Sequence, residues 1–145
     1  MSRAFVKEDD GAEQPMALPQ TGYPNYVTVA GLAQLRERLD AARASGSERE
    51  IEHWGSRVDS AIVVPLEAAS TKTVKFGATV TIESPDRTQR TYAIVGEDEA
   101  DPLRGTISWI SPLGQALIDS RVGKRVLWKR PAGDLAVRIL AIEYR

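Results

Sequence analysis

Apolar positions along this chain follow two different periods, and the switch between them divides it. From Thr28, a residue suited to capping a helix, Leu32, Leu35, Leu39 and Ala42 recur at spacings of three and four. Arg36, Glu37, Arg38, Asp40 and Arg43 fill the opposite face. Ser45-Gly46-Ser47 interrupts this helix, and Glu48 to about Ile62 resumes the spacing through Ile51, Trp54, Val58 and Ile62. Two helices joined by so short a turn are expected to run antiparallel along their apolar seams. From Lys75 the period becomes two. Phe76, Ala78, Val80 and Ile82 predict a first strand, and Ser84-Pro85-Asp86 a turn. Strands are then expected at Thr91–Val95, Ile107–Ile110, Val126–Lys129 and Leu135–Tyr144, the last two joined by Pro131-Ala132-Gly133-Asp134.

The pattern therefore predicts an α+β chain. An arm over residues 1–27, extended and partly mobile, precedes a helical hairpin of coiled-coil type at 28–64, a linker at 65–74 and an antiparallel sheet domain with one short helix at 75–145. The arm reading rests on its acids and on Pro15, Pro19 and Pro24.

One stretch combines both kinds of signal. In Thr106–Ile118, Ile107 and Trp109 alternate with Ser108, Ser111 suits a helix N-cap, and Pro112 suits the first helical position. Trp109 and Ile110 are consecutive, so one of them is expected to turn away from the core beside an exposed corner at Ser111-Pro112. An apolar group rimmed by polar ones favours a protein contact.

Composition mainly excludes. With no cysteine there is no thiol nucleophile, disulfide framework or Cys zinc site, and His53 as the single histidine argues against a Ser-His triad or a His metal site. No metal and no cofactor are expected. A net charge of −1 argues against strong direct DNA binding. No apolar run approaches the ~20 residues that span a bilayer, so no membrane contact is expected. The first ten residues do not read as a signal peptide, and a cytoplasmic location is expected.

Several segments together resemble a known family. Lys75-Phe76-Gly77-Ala78-Thr79-Val80, then Tyr92-Ala93-Ile94-Val95-Gly96-Glu97-Asp98-Glu99-Ala100-Asp101, then Ile107-Ser108 with Ser111-Pro112, and Ala141-Ile142-Glu143-Tyr144 resemble the carboxy-terminal domain of the GreA/GreB transcript cleavage factors. Thr28, Gly31, Leu35, Leu39 and Asp40 resemble the start of the first Gre helix. The resemblance implies an FKBP-like sheet domain that docks on bacterial RNA polymerase at the rim of the secondary channel, with a helical hairpin pointed into that channel. On this implication Trp109, Ile110, Ser111 and Pro112 are the polymerase-binding residues, although the family position before Ser-Pro is usually polar and here is Ile110. In cleavage-active members, two acidic residues at the hairpin tip help hold a magnesium ion, and the polymerase's own active site cuts the RNA.

The tip departs from that pattern. Glu50 falls at the family's glutamate and Trp54 at its tyrosine, but Ser47 replaces the aspartate and Ile51 the asparagine. A hydroxyl does not supply the hard anionic oxygen that Mg²⁺ prefers. Family hairpins also reach farther than this one. A shortened hairpin without the acidic pair is similar to the Rnk-type regulators of nucleoside diphosphate kinase. The tip residues Ser47, Glu48 and Glu50 are therefore expected to carry no catalysis, and the chain is expected to be a polymerase-binding regulator rather than an enzyme. A regulator of another protein on the same fold, a prolyl isomerase and an active cleavage factor are the alternatives.

Two charge clusters admit plainer readings. Glu97, Asp98, Glu99 and Asp101 read by default as a solvated acidic loop, or else as a shaper of the domain edge. Lys124, Arg125, Lys129 and Arg130 read as a charged edge that discourages sheet-to-sheet pairing, with a nucleic-acid platform as the weaker reading.

Overall fold

In a computed structural model, residues 23–65 and 72–144 are described. Within these bounds the chain forms two units, one of residues 23–25 and 32–62, the other of residues 26–31, 63–65 and 72–144. Nearly all of the arm and much of the linker lie outside the described residues.

The first unit is built on a helical hairpin. Helix α1 spans Val29–Ser45 and α2 spans Glu48–Ser60. Ser47 caps α2 with its hydroxyl, which accepts from the Glu50 amide at 3.3 Å. Leu35, Leu39 and Ala42 are buried as their spacing requires, and the Arg38 guanidinium lies 4.8 Å over the Trp54 ring. Ile62, expected on the seam, is instead half exposed, because α2 ends at Ser60 and the chain turns into a strand, β2, at Ala61–Val63. This strand pairs with β1, Asn25–Val27, in a two-stranded ribbon. The expected extended arm thus has regular structure at its end. Beside the ribbon lies a polar pair that the apolar pattern does not signal. Arg57 is buried, its Nη2 donating to Asn25 Oδ1 at 2.8 Å. Asn25 Nδ2 returns a bond to the Arg57 carbonyl at 2.9 Å. A charge held away from water requires such partners.

The second unit is a five-stranded sheet. Its strands are β3 (Ala78–Glu83), β4 (Gln89–Val95), β5 (Thr106–Ser108), β6 (Arg125–Trp128) and β7 (Leu135–Tyr144), in spatial order β5-β4-β3-β7-β6. The inward row Ala78, Val80 and Ile82 is buried, as are Ile94, Ile107, Val137, Ile139 and Ile142. Leu113 and Leu117 of a short helix, α3 (Pro112–Leu117), complete this core. The outward positions carry threonines, with Thr81 Oγ1 and Thr91 Oγ1 3.1 Å apart across β3 and β4.

The α+β class holds, and three details differ from the expectation. The sheet is mixed, because β5 pairs parallel to β4 with Ile94 opposite Ile107. A 3₁₀ turn at Pro102–Arg104 lies in the connection that carries the chain back to the level of Ala93, so that β5 starts in the same direction as β4. The first strand starts at Ala78 rather than at Phe76, since the Ala78 amide bonds the Lys75 carbonyl at 3.0 Å in a tight turn. The third strand stops at Ser108, so Trp109 and Ile110 belong to the turn that follows.

The segment that leads into β3 is tied to the end of β7. The Tyr144 hydroxyl donates to the Thr73 carbonyl at 2.7 Å and accepts from the Lys75 amide at 3.0 Å. Lys75 Nζ contacts Asp119 Oδ1 at 2.6 Å, which raises the lysine pKa, while burial raises that of Tyr144. Both folded values lie above their unfolded values. Their contribution to stability is therefore present below the unfolded pKa and is lost as pH rises through the folded one. Urea unfolding is expected to hold a constant midpoint from neutral pH up to about pH 10 and to fall beyond it. Combining Tyr144→Phe with Asp119→Asn should flatten that alkaline fall.

Candidate functional site

The sheet's most specialised turn connects β5 to α3, and a single hydroxyl organises it. Ser111 sits at φ −67°, ψ 160°, outside the helix, and its Oγ accepts from the Gly114 amide at 3.1 Å. The same oxygen donates to the Ser108 carbonyl at 2.7 Å, so one side chain closes both the strand end and the helix start. Ser108 Oγ in turn accepts from the Ile110 amide at 3.2 Å, and Gln115 Nε2 donates to the Trp109 carbonyl at 3.0 Å. Few backbone groups in this turn are left to fluctuate, and the turn presents a fixed shape.

Gly114 makes that closure possible. A Cβ at this position would stand 2.4 Å from the Ser108 carbonyl oxygen and 2.9 Å from that of Trp109. The helix start therefore packs backbone against backbone, and any side chain would push the turn open. The expectation for this turn overlooked Gly114, although a glycine inside so short a helix was the available signal.

The four expected contact residues are consecutive in this turn, with differing exposure. Pro112 is exposed, while Trp109, Ile110 and Ser111 are half buried. Trp109 packs against the core cluster and Ile110 does not; the assignment of the two to the strand is corrected, because both lie past its end. The Trp109 ring packs on Tyr26 with centroids 5.1 Å apart, and Tyr26 meets Phe76 edge-on at 6.0 Å. Trp109 is thereby anchored on one side. What the turn offers is a proline at the crest, flanked by partly exposed indole and isoleucine.

The acidic loop beside β4 is structural rather than merely solvated. Glu99 Oε2 accepts from the Thr28 amide at 3.0 Å and from the Gly96 amide at 3.1 Å, and Oε1 accepts from the Thr28 hydroxyl. Thr28 Oγ1 accepts from the Gly31 amide at 2.9 Å, capping α1. A Cβ on Gly31 would come within 2.2 Å of the Glu99 carboxyl carbon. Asp101 Oδ1 caps the 3₁₀ turn at the Leu103 amide, 3.2 Å away, and the Asp101 amide donates to Thr106 Oγ1 at 2.7 Å. These bonds shape the domain edge at the start of β5.

At the hairpin turn the Ser47 hydroxyl is engaged as a cap, and Glu48 and Glu50 are exposed in the first turn of α2, where their charge complements the helix dipole. Among the described residues no group of three or more His, Asp or Glu side chains is placed to hold a metal ion. No described helix is long and apolar enough to cross a membrane.

Comparison with known proteins identifies the class. A family model for the carboxy-terminal domain of the transcription elongation factors GreA and GreB matches residues 69–144, just over half of the chain. GreA of Desulfovibrio desulfuricans is 38% identical over 117 residues, a match covering 80% of this chain and 69% of that protein. GreB of Neisseria meningitidis serogroup B is 41% identical over 98 residues, covering 67% of this chain and 60% of that protein. The crystal structure of Thermus aquaticus Gfh1 aligns with a TM-score of 0.47 at 26% identity, covering 81% of this chain and 97% of that one. The chain belongs to the GreA/GreB transcription elongation factor family.

The cap and the close approach both predict losses that run against helix propensity. Ser111→Ala should cost about 1 kcal/mol by urea denaturation. Gly114→Ala should cost more, about 1–3 kcal/mol, although alanine is the better helix former.

Proposed function

We propose that this chain is a bacterial RNA polymerase-binding regulator that docks at the rim of the secondary channel through Trp109, Ile110, Ser111 and Pro112 and does not stimulate transcript cleavage. The observation that carries the reading is the turn itself. Most of its backbone groups have partners, so the exposed Pro112 and its apolar flanks are presented at a reduced ordering cost on binding. Membership of a transcription elongation factor family supplies the partner.

Loss of cleavage stimulation follows from the tip. Ser47 stands where cleavage-active members carry an acid, and its oxygen is already committed to the Glu50 amide. Glu48 and Glu50 are successive outward carboxylates on one helix turn without that partner. Length works in the same direction. Helix α1 has 17 residues and α2 has 13. At about 1.5 Å per residue, α1 spans about 25 Å. In this respect the chain is similar to the Rnk-type regulators. The protein performs no reaction of its own on this reading; it acts by occupying polymerase.

Purified chain should bind core polymerase, and Pro112→Arg should weaken the affinity at least about tenfold by placing a charge at the crest of the contact. Unchanged affinity in Pro112→Arg would remove the turn from the interface. Added to a stalled, backtracked complex, the chain should release no short RNA. Ser47→Asp alone should not create that activity; a cleavage product with either protein would contradict the reading of the tip.

A further inference from the structure

The charged residues at the opposite end of β3 are used by none of the bonds above. A cleft of about 400 Å³ opens there between the turn that joins β3 to β4 and the strands β6 and β7. Arg87, Arg125 and Arg138 line it, with Glu83, Ser84 and Pro85. Three guanidinium groups against one carboxylate leave the cleft with a charge of +2. The arginines are exposed, and no ion pair joins any of them to a carboxylate among the described residues.

The strand register makes this concentration costly without a counter-ion. Arg125 lies directly opposite Arg138 on the neighbouring strand, and Arg138 lies opposite Glu83 on the other side. Like charges directly opposite across strands destabilise a sheet. A single glutamate stands in the row to offset two arginines. Asp86, the next acid in the turn, is turned to the backbone, where its Oδ1 accepts from the Thr88 amide at 2.9 Å and its pKa is lowered by that bond. Arg87 itself adopts φ 72°, a conformation that favours glycine or asparagine over arginine. All three basic groups are thus kept in the cleft against local preference.

We propose that this cleft binds a phosphate-bearing small molecule, with its di- or triphosphate held between Arg87, Arg125 and Arg138. Planar guanidinium groups present paired N–H donors that match phosphate oxygens, and a polyanion relieves the repulsion between Arg125 and Arg138. The volume lies within the range of small-molecule sites. Glu83 is the one opposing charge in the lining, and Ser84 offers a hydroxyl to a further oxygen. The docking turn and the hairpin tip play no part in this proposal.

The test is titration of the full chain with inorganic pyrophosphate at constant ionic strength, read by amide chemical shifts and by thermal melting. Saturable shifts centred on residues 84–88, 125 and 138 are expected. Arg138→Gln and, separately, Arg125→Gln should each weaken binding at least about tenfold. Lys129→Gln removes the same unit charge outside the cleft and should change affinity less than about twofold. Without pyrophosphate, Arg125→Gln should melt no lower than the parent chain, because Arg125 faces only Arg138 across the strands and a repulsive pair has been removed. A nucleoside diphosphate run in parallel separates the sources of the anion. Affinity equal to that of pyrophosphate assigns recognition to the phosphates alone, and tighter binding adds contacts to the nucleoside; both support the site. No saturable response, equal losses in Lys129→Gln and Arg138→Gln, or binding of single-stranded RNA that pyrophosphate does not displace would each overturn the proposal.

Discussion

The second unit depends on one oxygen, Ser111 Oγ, which donates to the Ser108 carbonyl and accepts from the Gly114 amide. Between these two bonds the chain must leave a strand that runs parallel to its neighbour and start a helix that returns over the core. Leu113 and Leu117 reach the interior only if that helix starts immediately, and both are buried. Gly114 removes the one Cβ that would prevent it. The exposed Pro112 is therefore a by-product of core closure, and its rigidity derives from the core's own demand.

The acidic residues beside it show the same economy of use. Glu99 collects the amides of Thr28 and Gly96 together with the Thr28 hydroxyl, and Asp101 caps the turn that lets β5 run parallel to β4. A carboxylate that accepts several backbone bonds holds segments far apart in sequence, here residues 28 and 99. Across the sheet, the three arginines near Ser84 form the contrasting case, a charge concentration without internal bonds. The difference between the two clusters separates charge used for building from charge available to a ligand.

Much of the fold was legible because local rules governed it. Thr28 caps α1 at the position its neighbours indicated, and β7 occupies Leu135–Tyr144 as its alternation required. The serine and proline of the turn after β5 were readable for the same reason. What escaped was non-local. The parallel pairing of β5 depends on the Asp101 cap and the Thr106 hydroxyl acting together, not on any period in the strand. The Arg57 and Asn25 pair joins residues 32 apart, and no apolar spacing marks it. Trp109 was assigned to the strand because its alternation with Ile107 runs one residue past Ser108, the last paired position, and its amide still bonds the Val95 carbonyl at 2.9 Å. Glu99 looked like one acid among four; only the glycines at 31 and 96, which make room for it, set it apart.

The central claim is that this chain meets polymerase with the turn at Pro112 and not with the hairpin tip or the arginine-lined side of the sheet. Site-specific photo-crosslinking to core polymerase tests it most directly, with a photoreactive residue placed singly at position 112, 48 or 127. Position 112 lies at the crest of the turn, 48 at the hairpin tip and 127 on β6. The account predicts a strong crosslink to polymerase from 112 that exceeds those from 48 and 127. A crosslink from 127 with none from 112 would contradict it.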